Sequence, residues 1–464
     1  MLSDIQFLTD RFASEGSGKT AIVWQDKECS YADLLDAVQY WRERLAQEDV
    51  TSRDIVSLTA DFSPSATALL LALVERGCTV VPLTSSVAHN RDTFLDIAQV
   101  TIDITLAPDD TGLFTRFART PDHPLYQDLW QGHRAGLILF SSGSTGKSKA
   151  ALHDFGLILD KFRETRPAKT TLAFLLFDHI GGINTLLHVL SNGGGLVTVA
   201  DRSPATVCRT IDEYGVQILP TSPTFLNLLL MSGAVDQFDL RSLDTITYGT
   251  EVMPESTLLR LRSRFPDAKL AQTYGLSEVG ILRSKSEASD SLWVRLGGTG
   301  VETRVIDGLL EIKSTSVMLG YLNAPSPITE DGWFMTGDSV EERDGLFRIF
   351  GRKSEMINVG GEKVFPAEIE SVLHDIDGVE DVCVYGEQHS IVGNIVVARV
   401  SLTTGETTAE FRKRMMQHCR ERLAPFKVPQ KILLSKEQMH GERFKKNRSV
   451  LQATPERPLQ QGRK

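Results

Sequence analysis

Cysteine is sparse in this chain of 464 residues, and the five present, Cys29, Cys78, Cys208, Cys383 and Cys419, lie far apart. No two stand at a metal-ligand spacing, so a structural zinc site or disulfide framework is not expected. The pattern reads as reduced thiols in a reducing compartment. Positive charge is also in deficit: 50 Lys and Arg against 60 Asp and Glu leave a net charge of −10. A nucleic-acid-binding surface is usually basic, so that class is disfavoured. Long apolar runs are missing. The longest, around residues 67–74, is too short to span a bilayer. The start, Met1-Leu-Ser-Asp-Ile5, has no basic stretch leading into an apolar one, so no signal peptide is read. Repeats and low-complexity segments are absent too. These gaps leave a soluble, cytoplasmic protein as the expectation.

The remainder is ordinary globular material, 41% hydrophobic and 24% charged. A prior of about 150 residues per domain suggests two or three domains. Helical apolar spacing at 5–12 precedes a short β-branched run at 20–24. Ser30 is placed to cap a helix. A run at 55–59, a helix at 63–76 closed by Gly77, and a run at 78–83 continue the alternation. Such βαβ spacing predicts a mostly parallel sheet. Residues 107–130 read as an irregular surface connection. Further strands are expected at 172–177, 196–199, 216–219 and 245–248, with a helix at 204–214. Several of these strands end in small polar residues, and ligands bind outside the carboxyl ends of parallel strands. From residue 296 glycines multiply and strands shorten, which suggests a small β-rich subdomain. After Gly351 a new pattern begins: helix 366–374, strands 379–385 and 392–400, helix 408–423, strand 431–434. The expected architecture is therefore α/β. A large domain, 1–350, combines parallel-rich sheets, helices and a small β subdomain. A small α+β domain, 351–464, follows.

One segment stands out. Leu137-Ile-Leu-Phe140 reads as a buried strand and gives way to Ser141-Ser-Gly-Ser-Thr-Gly-Lys-Ser-Lys149. Gly143 and Gly146 allow backbone amides to approach a ligand closely. Ser141, Ser142, Ser144 and Thr145 offer hydroxyls, and Lys147 and Lys149 offer charge. A strand feeding a donor-rich loop suits a polyphosphate. The glycine spacing is not that of a Walker A loop. A looser Walker-like run, Gly16-Ser-Gly-Lys-Thr20, sits between a helix and a strand, the reverse of the functional order, so Lys19 is given no role.

Five segments occur in an order that resembles the adenylate-forming superfamily of acyl- and aryl-CoA synthetases, nonribosomal adenylation domains and luciferases. They are Phe140-Ser-Ser-Gly-Ser-Thr-Gly-Lys-Ser-Lys149, Tyr274-Gly-Leu-Ser-Glu278, Gly332-Trp-Phe-Met-Thr-Gly-Asp338, Gly351-Arg352 and Gly360-Gly-Glu-Lys-Val-Phe-Pro-Ala-Glu-Ile-Glu370. The resemblance implies two half-reactions. A carboxylate attacks the α-phosphate of ATP to give acyl-AMP and pyrophosphate, and a thiol then takes the acyl group. It implies that Ser141, Ser142, Gly143, Ser144, Thr145, Gly146 and Lys149 hold the phosphates, with Glu278 as a Mg²⁺ ligand. Tyr274, Gly275 and Ser277, with Gly249 and Thr250, would border the adenine. Asp338 would accept from the ribose hydroxyls, with Arg352 beside it. The family's C-terminal lysine corresponds to Lys445 in Arg443-Phe-Lys-Lys-Asn-Arg448, with Lys446 adjacent and Phe444 where glycine is usual. Ser148 and Ala150 replace the usual proline and glycine around Lys149. Ser354 stands at the hinge of a mobile C-terminal domain, near 352–354.

The acid pocket is expected among His179, Gly182, Ser222, Thr247, Thr273, Gly280 and Ile281. The pair Gly181-Gly182 suggests room for an apolar chain or ring, hence a fatty or aromatic acid with coenzyme A as acceptor. An acyl carrier protein as acceptor, an aminoacyl version using Asp178, and a non-catalytic nucleotide-binding homologue remain alternatives.

Overall fold

A computed structural model describes residues 5–142, 148–199, 201–390, 392–436, 438–441, 443–446 and 448. Two seven-stranded sheets form the large domain. In the first, Lys269–Gln272, Thr245–Tyr248, Ile218–Thr221, Thr170–Leu172, Gly195–Val197 and Thr20–Trp24 run parallel, and Lys27–Ser30 closes the edge as a hairpin. In the second, Gly136–Ser142, Thr79–Leu83, Ile55–Thr59 and Ile102–Leu106 run parallel. Antiparallel edges flank them: Ser148–Asp154 and Gly320–Tyr321 on one side, Gly112–Arg116 on the other.

Local signals explain these elements. Ser30 caps the helix Tyr31–Gln47 in a reciprocal capping box with Asp33. Ser63 caps Pro64–Glu75, whose apolar residues are almost all buried between the two sheets. Gly77 leaves that helix at φ +80°. Lys19 pairs with Glu15 at 3.1 Å within the helix-to-strand turn.

Three expectations need correction. Residues 107–130 are not irregular: they hold the strand Gly112–Arg116 and the helix Pro124–Gln131. Tyr126 and Leu129, one helical turn apart, are buried there. The strand expected at 172–177 stops at Leu172. Beyond it the apolar residues are buried by side-chain packing: the Phe174 ring lies 4.3 Å from that of Phe225, tilted by 49°, and the Phe174 carbonyl accepts from Arg202 Nε. The helix after Thr407 ends at Cys419, short of residue 423.

A six-stranded antiparallel sheet, from Arg283–Ser286 to Val301–Ile306, forms the β-rich part. A smaller sheet built on Val379–His389 and Gly393–Leu402 packs against Pro366–His374 and Thr408–Cys419 around its own core. The parallel strand Lys431–Leu434 closes that sheet.

Candidate active site

A cavity of about 1200 Å³ opens where the two large sheets, the antiparallel sheet and the small domain meet. Each family-like segment reaches it by a different device.

Lys149 lies on the strand Ser148–Asp154, opposite Ser141 in the ladder. Ser142 and Ser148 are the last described pair of that antiparallel ladder before the donor-rich segment. Gly143, Ser144, Thr145, Gly146 and Lys147 lie outside the described residues, as does the Ser142 side chain. The Lys149 ammonium sits 5.1 Å from the Tyr321 ring centre. The Tyr321 hydroxyl donates to Glu278 Oε1 at 2.7 Å, and Ser141 Oγ approaches the same oxygen at 3.4 Å. Glu278 is held from behind: Met318 N–H donates to its carbonyl, and His153 Nε2 contacts the Ser277 carbonyl at 2.6 Å. Gly280 turns the chain back at φ +81°, a conformation that favours glycine. It opens the short strand Gly280–Ile281, paired with Leu276, and is not part of the cavity wall.

Asp338 and Arg352 face each other across the ladder between Phe334–Arg343 and Leu346–Arg352. Arg352 Nε lies 3.4 Å from Asp338 Oδ1, and the Tyr274 hydroxyl donates to Oδ2 at 2.5 Å. Burial pushes the Asp338 carboxyl up, against the opposing pull of Arg352. Gly249 follows the strand Thr245–Tyr248, and a Cβ there would meet Thr273 Oγ1 at 2.5 Å. Thr250 takes φ +71°. Both line the cavity with Tyr274, Gly275, Ser277 and Thr247.

The two C-terminal lysines separate clearly. Lys446 Nζ donates to the Val382 carbonyl at 2.6 Å and pairs with Glu370 at 3.3 Å. Its charge is spent within the small domain. Lys445 faces the cavity, with no carboxylate within ion-pair distance among the described residues. Burial lowers its pKa, partly offset by Glu251. The chain around it is pinned to the large domain. Phe444, at φ +49°, packs its ring against Phe174, Phe225 and His440. Its carbonyl accepts from Ser222 Oγ at 2.9 Å. Arg443 pairs with buried Asp178 at 3.2 Å, and Glu251 accepts from Lys446 N–H at 2.8 Å.

Ser222 is therefore not exposed to the cavity. It caps the helix Pro223–Met231 and anchors Phe444. Asp178 is likewise committed, to Arg443 and to the Thr84 hydroxyl. Gly182 does not make room either: a Cβ there would lie 1.9 Å from the Leu176 carbonyl, so the position is small because the helix packs on that loop. At Gly181 the Leu175 side chain occupies the space, 2.6 Å from such a Cβ. His179, Thr247, Thr273 and Ile281 do line the cavity. His179 caps the helix Ile180–Ser191, its Nδ1 accepting from Gly181 N–H at 3.0 Å. Burial, with Arg443 and Lys445 nearby, holds its pKa well below the ordinary value. The ring is neutral and carries its proton on Nε2.

Sequence reasoning missed Tyr321, Glu251 and Lys161. Tyr321 and Glu251 act through residues far away in the chain, and neither belongs to a segment with a recognisable spacing.

A family model described as AMP-binding enzyme matches residues 9–322, and one described as AMP-binding enzyme C-terminal domain matches 368–445. Indoleacetate–CoA ligase of Aromatoleum aromaticum is 26% identical over 91% of this chain and 92% of its own length. 2-Succinylbenzoate–CoA ligase of Listeria monocytogenes is 23% identical over 90% and 92%. The crystal structure of the anthranilate–CoA ligase AuaEII with anthranoyl-AMP superposes with a TM-score of 0.80 at 17% identity, covering 97% of this chain and 96% of that one. The chain belongs to the AMP-binding enzyme family.

Proposed function

We propose that this protein uses ATP to activate a carboxylic acid and passes the acyl group to coenzyme A. The acid carboxylate attacks the α-phosphate, acyl-AMP forms and pyrophosphate leaves. The thiol then attacks the acyl carbonyl, giving a thioester and AMP. The observation that carries the reading is a half-buried Lys445, with no carboxylate within ion-pair distance among the described residues, sharing one cavity with the Asp338–Arg352 pair and the Glu278–Tyr321–Lys149 group.

A carboxylate is a weak nucleophile, so rate comes from positioning and from neutralising charge at phosphorus. Lys149, with Ser141 and the 143–146 segment including Thr145, holds the β- and γ-phosphates. Tyr274, Gly249, Thr250, Gly275 and Ser277 border the adenine, and Asp338 with Arg352 takes the ribose. Lys445 bridges the substrate carboxylate and an α-phosphate oxygen. His179, Thr247, Thr273 and Ile281 border the acid. Glu278 suits Mg²⁺: it presents a hard carboxylate oxygen fixed by a phenol. Among the described residues no cluster of three or more His, Cys, Asp or Glu is gathered for a metal, so phosphates and water would complete the shell. The ion would supply charge neutralisation on the pyrophosphate.

Coenzyme A is favoured over a carrier protein by the names of the relatives. Residues 351–464 would turn as a unit about 352–354 between half-reactions; the short 3₁₀ turn Lys353–Glu355 next to Arg352 supports a pivot there. Five free cysteines, and no helix among the described residues long and apolar enough to cross a membrane, support a cytoplasmic location. A pyrophosphate-release screen over carboxylic acids, with and without coenzyme A, tests the reading. One acid class should release pyrophosphate and form a thioester only with coenzyme A present. If no acid releases pyrophosphate, the reading fails.

A further inference from the structure

Beyond His179 the cavity continues between the helix Ile180–Ser191 and the chain at Ile281, and there it changes character. Lys161 Nζ projects into it. The ammonium donates to Asn184 Oδ1 at 2.6 Å and to the Ile281 carbonyl at 2.7 Å. Both acceptors are neutral. Among the described residues no carboxylate stands within ion-pair distance of this ammonium. Its other close neighbour is the Phe162 ring, 4.9 Å away. Arg166 and Arg283 are close enough to disfavour its charge, and both line the same end of the cavity. Glu164, the carboxylate nearby, is bonded to Arg283. His188, one turn beyond Asn184, is held neutral by burial and by these cations, its pKa lowered to about 4.

A half-buried cation with only neutral partners is costly unless something supplies the missing charge. An apolar acyl chain would worsen that cost by excluding water. An anion would relieve it. The geometry also fixes the reach. Asn184, which fixes the ammonium, lies about 7.5 Å along the helix axis from His179 at 1.5 Å per residue.

We propose that the acid activated here carries a second carboxylate at its far end, bound by Lys161, so that the substrate is a dicarboxylic acid rather than a fatty or simple aromatic monoacid. This rests on the reading of the cavity as the acid site. The reacting carboxylate lies toward Lys445 and the second toward Lys161, separated by a ring or a chain of comparable length.

The test uses the full-length protein and matched acids of equal length ending in methyl or in carboxylate, aliphatic and aromatic. Two readouts are taken: pyrophosphate release, and the rise in melting temperature on adding each acid with a non-hydrolysable ATP analogue. The diacid should be preferred by about tenfold or more in kcat/KM, the scale of one charge-assisted contact. It should also give the larger thermal shift. Lys161→Met, which keeps the length of the side chain, should abolish the preference in both readouts, and Lys161→Arg should retain part of it. Equal response to diacid and monoacid in the wild type, or a preference that survives Lys161→Met, overturns the proposal. A Lys161-dependent binding preference with no pyrophosphate release from any acid would instead overturn the activity and leave the acid specificity standing.

Discussion

At the proposed nucleotide end of the cavity, charged groups come with partners: Asp338 with Arg352 and Tyr274, Glu278 with Tyr321. At the proposed acid end, the acceptors of Lys161 among the described residues are neutral, and Arg166 and Arg283 stand near it. The paired end is set by backbone. Asp338 and Arg352 are opposite in one ladder, and Ser141 and Lys149 in another. The unpaired end is assembled from side chains of separate elements, and its imbalance is resolved only by a particular ligand. Common chemistry is built into the sheet, and selectivity is left to side chains.

Lys445 is the group that both ends share, and its removal should have the largest effect. Lys445→Ala is expected to lower pyrophosphate release by about 10²–10³-fold, the range for losing one preorganised charge-stabilising donor, with thermal stability unchanged. Its neighbour should behave in the opposite way. Lys446 is buried against Glu370 and the Val382 carbonyl. Lys446→Ala should destabilise the small domain by about 3 kcal/mol, the low end for breaking a buried pair, because Arg448 still pairs with Glu370 at 2.8 Å. Urea unfolding followed by a probe in that domain reads this. If Lys446→Ala abolishes chemistry while stability holds, the two roles are exchanged.

A smaller effect is expected at the paired end. Tyr321→Phe removes the phenol that orients Glu278 and leaves the ring under Lys149. The KM for ATP should rise about tenfold, with the Mg²⁺ requirement shifted to higher concentration, since one hydrogen bond to a charged group is lost. The diacid preference should not move. A change in acid selectivity without a change in ATP KM would break the division between the two ends.

The same division explains what could be read from the chain. The proposed phosphate, metal and ribose contacts sit in short segments with fixed spacing, so Lys149, Glu278, Asp338 and Arg352 are legible in the sequence, and the fold brings them to one cavity. Most elements were legible from caps and period, including Pro366–His374 and Lys431–Leu434 to the residue. Lys161 carried no signal: it follows a short helix, and only the fold brings it to Asn184 and Ile281, 23 and 120 residues away. The Gly181-Gly182 pair misled for a related reason. Small residues mark close approach, and which atoms approach is a tertiary fact: here the Leu175 side chain and the Leu176 carbonyl fill the space.

The subtlest test of the unpaired end is the pH dependence of selectivity. Burial and the nearby arginines lower the pKa of Lys161 to about 8. Below that value the ammonium is charged and can bind a carboxylate; above it the amine is neutral. The other groups facing it are Arg166, Arg283, His188 and Glu164. His188 stays neutral above about 4, and the Glu164 carboxyl is held below the usual range by Arg283. Lys445, also lowered by burial, will bend the activity of every substrate on the alkaline side. Taking the ratio of kcat/KM for diacid over monoacid cancels that common term, and kcat/KM reports the free enzyme. The ratio should therefore be flat from about pH 6 to about 7, where the far carboxylate is ionised, and fall as pH rises through about 8, by about the tenfold that one charged contact contributes. In Lys161→Met it should be flat throughout. A wild-type ratio that holds steady up to about pH 10 would mean that the second carboxylate is recognised by the arginines and not by Lys161.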